Sequence, residues 1–308
     1  MIRRPKLDHV LAGGAVALLW PAVAGDSFWL QFFGKAMITG IFAMSLDLLV
    51  GYVGLVSLAH AGFFGLAAYL LAASSNALSI VNPLLSLPLC LAGVAFAALI
   101  IGWLCLRAKG IYFIMATFAF SEMMHHAIND APGFGGSDGL YVQRRPRLGP
   151  FDLADRRTAY LAIWLVLVAV YVLLERMLRA PYGRVLAAIR INEARTRSLG
   201  FATPRYSLVA FVIAATLAGL AGYLDATLYG FVNPAELAWE KSGFLLVIVL
   251  VGGKGTLYGP TAAAFLFMLL EHYAERITVY WNAVVGALVV VVVFFLPRGL
   301  ASARGLRG

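Results

Sequence analysis

Apolar runs long enough to cross a bilayer recur along this chain, and no other feature constrains its fold as tightly. A spanning helix needs about 20 mostly apolar residues to traverse ~30 Å of hydrocarbon at about 1.5 Å per residue. Of the 308 residues, 62% are hydrophobic and only 13% are charged, against about 25% charged in an ordinary soluble domain. A soluble enzyme is excluded on that ground. Membrane β-barrels need segments of about ten residues that alternate in polarity, whereas 161–174 and 284–296 are continuously apolar. Helices are therefore the spanning elements, since a helix satisfies its own backbone groups inside lipid. The expected fold is an all-α polytopic membrane helical bundle of about 8 to 10 transmembrane helices, forming one domain over 1–308. Expected spans are 9–24, 36–50, 58–73, 87–106, 111–128, 160–177, 207–229, 242–251, 259–273 and 282–296. The shortest of these leave room for eight crossings with re-entrant pieces.

The formal charge of +9 does not point to nucleic acid, because in a polytopic chain a Lys/Arg excess marks cytoplasmic loops. With both termini inside, sixteen basic residues fall on the inner side and eight on the outer. The outer loop 129–158 runs against this bias with Arg144, Arg145, Arg147, Arg156 and Arg157, partly offset by Asp130, Asp138, Asp152 and Asp155. A loop of that length forms an ordered external surface. The first apolar run, ending Ala22-Val23-Ala24, has the look of a signal peptide, but in a chain rich in further spans it is read as an uncleaved first helix. Cys90 and Cys105 fall in one expected helix, about 22 Å apart along its axis, too far for a disulfide.

Three segments stand out. Residues 179–205 form the long cytoplasmic loop, where Val185, Leu186 and Ile189 repeat at helical spacing beside Arg184, Arg190, Asn192, Glu193, Arg195 and Arg197, and Gly200 is placed as a helix stop. An amphipathic cytoplasmic helix suits docking into a groove of a soluble partner; a solvated basic anchor would have the same composition. Residues 250–260 (LVGGKGTLYGP) contain Gly252, Gly253, Gly255 and Thr256 ahead of Pro260, so the helix is expected to break or re-enter there. Broken backbone at membrane depth occurs only inside protein or along a water-filled path, although a tight turn would read the same way. Residues 51–69 carry small Ala61 and Gly65 four apart, with Ser57 and His60 as polar members; this is a helix-packing face and a candidate lining of the path.

Asp47, Glu122, Asp225 and Glu271 lie in or beside spans, where a central carboxylate needs a partner or a function. Glu122-Met123-Met124-His125 matches half of a di-iron bundle site, but no second copy exists; no metal site is expected. Gly252-Gly253-Lys254-Gly255-Thr256 lacks Walker A spacing, so the chain holds no ATP by that loop.

Taken together, 51–69 (GYVGLVSLAHAGFFGLAAY), 110–122 (GIYFIMATFAFSE), 135–140 (GGSDGL), 183–200 (GRVLAAIRINEARTRSLG), 211–222 (FVIAATLAGLAG) and 252–260 (GGKGTLYGP) resemble the LivM-like permease subunits of ABC-type branched-chain amino acid importers. The resemblance implies a transport subunit rather than an enzyme, in the bacterial inner membrane. The implied partners are a second, homologous permease, two cytoplasmic ATPases that bind ATP and Mg, and an external substrate-binding protein. It also implies that the loop with Glu193, Ala194 and Gly200 meets the ATPase. Glu193 and Gly200 are seven positions apart, one more than in the general importer loop. The outer loop 129–158, with 231–241, is the expected surface for the binding protein. Related permeases are implied for branched-chain amino acids, other amino acids, and urea or short amides. Two rivals need no ATPase: a proton-coupled carrier using Glu122, His125, His126, Glu271 and His272, and a passive channel for a small neutral solute around the glycine break.

Overall fold

Three of the long helices begin where a short polar side chain takes up a free amide of the first turn. The computed structural model describes residues 18–77, 79–148, 151–277, 280, 283, 286, 287 and 299. After a short helix, α1 (Trp20–Ala24), the Asp26 carboxylate accepts from Phe28 N at 3.0 Å and starts α2 (Ser27–Asp47). A π-helical turn, Leu48–Val53, extends α2 and stops at Gly54 in left-handed backbone. Irregular chain leads to α3 (His60–Ala77). Asn82 caps α4 (Pro83–Cys105) by accepting from Leu84 N at 2.9 Å, with Pro83 in the first turn, where a missing N–H leaves nothing unpaired. There follow α5 (Ile111–Asn129) and α6 (Arg156–Arg179), the latter capped by Asp155, whose carboxylate accepts from Thr158 N and Oγ1. Two short helices, α7 (Pro181–Ile191) and α8 (Glu193–Ser198), precede α9 (Thr203–Tyr229), α10 (Trp239–Gly252) and α11 (Tyr258–Ile277).

Helix α9 forms the centre of the bundle because its sequence lets other backbones come close. Ala214, Ala215, Ala218, Gly219, Ala221 and Gly222 are small, and α2, α3 and α4 pack around them. Gly222 lies against the Phe64 carbonyl, leaving no space for a Cβ, and a Cβ at Gly219 would sit 3.0 Å from Val94. Tyr223 Oη and Ser86 Oγ share a buried hydrogen bond of 2.8 Å. Burial separates core from periphery: 89% of the apolar window of α2 with its π turn is buried, against 28% in α4 and in α6. On α4 the outward residues Leu85, Leu89, Phe96, Leu99 and Trp103 are apolar and exposed, which is how a helix faces lipid. Four described helices, α2 with its π turn, α4, α6 and α9, are long and apolar enough to cross a membrane. The chain is a helical membrane bundle.

Several helices start earlier than expected, whereas the one expected from 58 starts later, at His60, and the one expected from 111 starts at Ile111. The spans expected from 87, 160, 207 and 242 begin at Pro83, Arg156, Thr203 and Trp239. Apolar periodicity reports the buried middle of a helix, while the first turns of α6, α9 and α10 carry charged residues such as Arg156, Arg205 and Glu240. The expected span 9–24 reaches the described residues only from Leu18, and 282–296 lies outside them apart from 283, 286 and 287.

The loop 129–158 is held by short pairings. Its strand β1 (Leu140–Tyr141) is followed by β2 (Arg147–Leu148) and β3 (Phe151–Asp152), which pair with each other. β1 pairs antiparallel with β4 (Phe231–Val232), in register Leu140 to Val232 and Tyr141 to Phe231. The C-terminal end of α3 carries the rest: Ser75 Oγ donates to Arg144 O at 2.6 Å, and Asn76 bonds both Tyr141 O and Gln143 N. The two stretches that the sequence groups together, 129–158 and 231–241, are therefore joined through β1 and β4.

Candidate functional site

Between α6 and α9 the chain makes a small, separate module. Gly183 lies against Leu178, so a side chain at 183 would block the turn out of α6. Helix α7 buries Gly183, Leu186 and Ile189 and exposes Arg184, which is the amphipathic spacing read from the sequence. One continuous helix was expected, but the structure has two. The break falls at Asn192, whose side chain accepts from Arg195 N at 2.9 Å and caps α8. Asparagine competes with the helix by bonding local backbone, which favours a cap over an interior position. Gly200, at φ +91°, ends the module in left-handed backbone.

Glu193 fastens the module to the bundle. Its carboxylate meets Lys109 Nζ at 2.9 Å and Arg197 Nη2 at 2.5 Å, and accepts from Thr203 Oγ1 at 3.1 Å. The Lys109 hydrogen bond, helped by Thr203 and Arg197, holds the carboxyl below the usual glutamate range. The contribution of this tie is thus complete above the ordinary glutamate pKa and is lost only as the pH falls through the lowered value. Tyr182 Oη donates to Tyr206 O at 3.0 Å, a second fastening, to α9. The outward side of the module presents Arg184 and Arg195 together with two large apolar side chains, Ile191 at 85% and Leu199 at 72% exposure.

One residue of this module reaches inward. Arg190 donates through Nη1 to the Gly51 carbonyl in the π turn. Gly51 in turn packs backbone to backbone on Gly255, and a Cβ there would overlap both Gly255 and the Asp47 carboxylate. Asp47, fully buried, accepts from Gly255 N at 2.6 Å and from Leu257 N at 3.1 Å. This carboxylate closes the gap between α10 and α11, where Gly253 and Gly255 have positive φ and Thr256 Oγ1 donates to Gly253 O at 2.7 Å. Helix α10 does break at the glycine cluster, at Gly252. A continuous chain of contacts therefore runs from α7 through the π turn to the broken segment.

The remaining path candidates lie elsewhere. Ser57 and His60 are buried at the start of α3, where Ala61 N donates to Ser242 Oγ at 2.8 Å. Ser242 is ten residues from Gly252 along α10, about 15 Å, so Ser57 and His60 do not join Gly252, Gly253, Gly255 and Thr256 in one cluster. Neither ring nitrogen of His60 has a hydrogen-bond partner among the described residues. The relay candidates also divide. Glu122 lies 3.8 Å from His126 and 4.0 Å from His125 on α5, while His272 on α11 packs against Phe28 and Phe32. Among the described residues, no ion pair joins the two groups and no cluster of His, Cys, Asp and Glu is arranged to hold a metal. Sequence reading flags Asp47 as a carboxylate near a span, but its role depends on partners about 200 positions away and has no local signal.

Residues 28–293 match the family described as branched-chain amino acid transport system, permease component. The chain is 29% identical to the high-affinity branched-chain amino acid transport system permease protein LivM of Escherichia coli (strain K12), over 92% of this chain and 72% of that protein. It is 25% identical to a probable LivM of Methanocaldococcus jannaschii, over 87% and 86% of the two chains. A shorter match, 31% identical over 46% of this chain and 43% of the relative, is to the autoinducer 2 import permease LsrC of Klebsiella pneumoniae. No solved structure matches.

Proposed function

The chain belongs to the branched-chain amino acid transport permease family, and we propose that it is the membrane subunit of an ATP-driven importer in the bacterial inner membrane, gripped by a cytoplasmic ATPase at α7–α8. The single observation that carries this reading is the exposure of Ile191 and Leu199 on a charged module fastened to the bundle by Glu193. Large apolar side chains flanked by polar ones mark a surface that a partner covers. In this reading Arg184, Arg190, Asn192, Glu193, Arg195 and Gly200 divide their work. Arg184 and Arg195 face the ATPase, Asn192, Glu193 and Gly200 shape the module, and Arg190 carries its movement inward.

The assembly comprises this chain, a second homologous permease, two ATPases that bind ATP and Mg, and an external binding protein seated on 129–158 and 231–241. The substrate class follows the relatives named for branched-chain amino acids; the autoinducer 2 permeases mark the breadth of the similarity. Eight described helices, α2–α6 and α9–α11, make crossings, and together with the spans expected from sequence at 9–24 and 282–296 they leave both termini inside. Closure of the ATPase pair moves α7, and Arg190 passes the movement to Gly51, Asp47 and the 253–257 segment. Such coupling requires ATP to bind the two conformations unequally. This chain forms and breaks no covalent bonds.

Replacing Ile191 and Leu199 together by Glu should remove the ATPase from the purified complex and lower ATP-driven uptake at least tenfold, with the amount of permease in the membrane unchanged. Retention of the ATPase by that double variant would refute the docking assignment.

A further inference from the structure

Between α2, α9, α10 and α11 lies a cavity of about 510 Å³, within the range of small-molecule sites. Its charged lining is unusual for a membrane bundle: Lys35, Asp225, Glu236, Lys241 and Glu271 all face it. Ionisable side chains among spanning helices are costly and mark the routes of solutes or ions. These five come from four separate stretches of chain, so no local helical pairing explains their meeting.

Lys241 anchors the arrangement. Its ammonium pairs with Glu236 and lies 3.5 Å over the Phe64 ring and 5.9 Å from the Phe42 ring, positions in which the ring faces favour a cation. Lys35 stands 5.9 Å from the Tyr229 ring, and Asp225 lies in the field of both lysines. Ile38, Phe42, Phe64, Leu245 and Met268, all buried, form an apolar wall beside these charges. The cavity thus offers ammonium groups, carboxylates and an apolar surface together.

We propose that this cavity is a station for a zwitterionic aliphatic α-amino acid inside the permease, with the substrate carboxylate at Lys241 and Lys35, its ammonium at Asp225, Glu236 and Glu271, and its side chain on the Phe42–Phe64 wall. A neutral amide or urea offers no charge to pair with these ionic groups, whereas a zwitterion meets both signs. Three carboxylates against two lysines place the surplus charge at the ammonium end. The inference rests on the importer reading and gives its amino acid substrate a place within the permease. It also moves the substrate path from Ser57 and His60 to a neighbouring space.

The test uses the complete importer in proteoliposomes. Lys241→Met and Asp225→Asn should each lower ATP-driven L-leucine uptake at least tenfold, while Lys241→Arg keeps more than a third of it. ATP hydrolysis stimulated by the binding protein should persist in all three. A second measurement does not depend on those variants folding. In Phe244→Cys, at the half-open rim of the cavity, modification by a charged thiol reagent should be slowed at least threefold by L-leucine, and not by urea, isocaproate or isoamylamine, which lack one or both charges. Unchanged leucine uptake in both charge variants would overturn the proposal, as would equal protection by urea and leucine. If the unaltered complex shows no ATP-driven uptake of any solute, it is the importer reading that fails.

Discussion

Asp47→Ala is expected to abolish import, by at least tenfold, while ATP hydrolysis continues. The Asp47 carboxylate takes the amide protons of Gly255 and Leu257, and its loss strands one donor in a buried site and one in a part-buried turn. Each stranded group costs about 1–3 kcal/mol, comparable with the 1–3 kcal/mol that typically couples two sites. The 253–257 segment would then no longer follow the π turn that Arg190 holds. Asp47→Asn keeps one acceptor oxygen and should fall between the parent and the alanine variant. Uptake and hydrolysis measured on the same vesicles separate uncoupling from misfolding. Import by Asp47→Ala within twofold of the parent would show that this contact carries no coupling.

Gly222→Val is expected to prevent accumulation of the protein. At Gly222 the backbones of α9 and α3 touch, with the Phe64 carbonyl where a Cβ would go, so relief requires two closely packed helices to separate. Overpacking typically costs about 1–3 kcal/mol, and a rigid backbone neighbour cannot move aside as a side chain can. Gly243 on α10 supplies the internal comparison, because a Cβ there meets nothing within 4 Å. Gly243→Ala should accumulate like the parent, and alanine is the better helix former. Membrane levels together with thermal unfolding in detergent distinguish the two substitutions. Equal levels for Gly222→Val and Gly243→Ala would mean that α3 and α9 are not packed as described.

Sequence shows a feature of this molecule when its cause is local. Gly252, Gly253, Gly255 and Pro260 mark the helix break because glycine and proline alter the backbone wherever they stand. Gly200 marks the end of α8 for the same reason, and Leu186 with Ile189 mark the buried face of α7. The division of 179–205 into two helices at Asn192 is obscured because asparagine is tolerated within a helix and caps only when its side chain turns to the backbone. Long-range partners left no trace. Asp47 meets Gly255 across 208 positions. Two-residue strands such as β1 and β4 are too short to show alternation. The same holds for the charged cavity: Lys35, Asp225 and Lys241 read singly as residues near helix ends, and only the packing of α2, α9 and α10 gathers them. Hydropathy finds the bundle, but it has no means of assigning neighbours within it.

The account stands on α7–α8 facing the cytoplasm as the attachment point of an ATPase, and cysteine accessibility at Leu199 tests that most directly. Leu199→Cys adds a thiol at a position 72% exposed, while Cys90 and Cys105 are buried. A membrane-impermeant thiol reagent should leave it unmodified in intact cells. The same reagent should modify it in inverted vesicles stripped of ATPase, and restoring the ATPase should protect it. Modification in intact cells, with no protection by the ATPase, would place the module on the outer face and contradict the importer account.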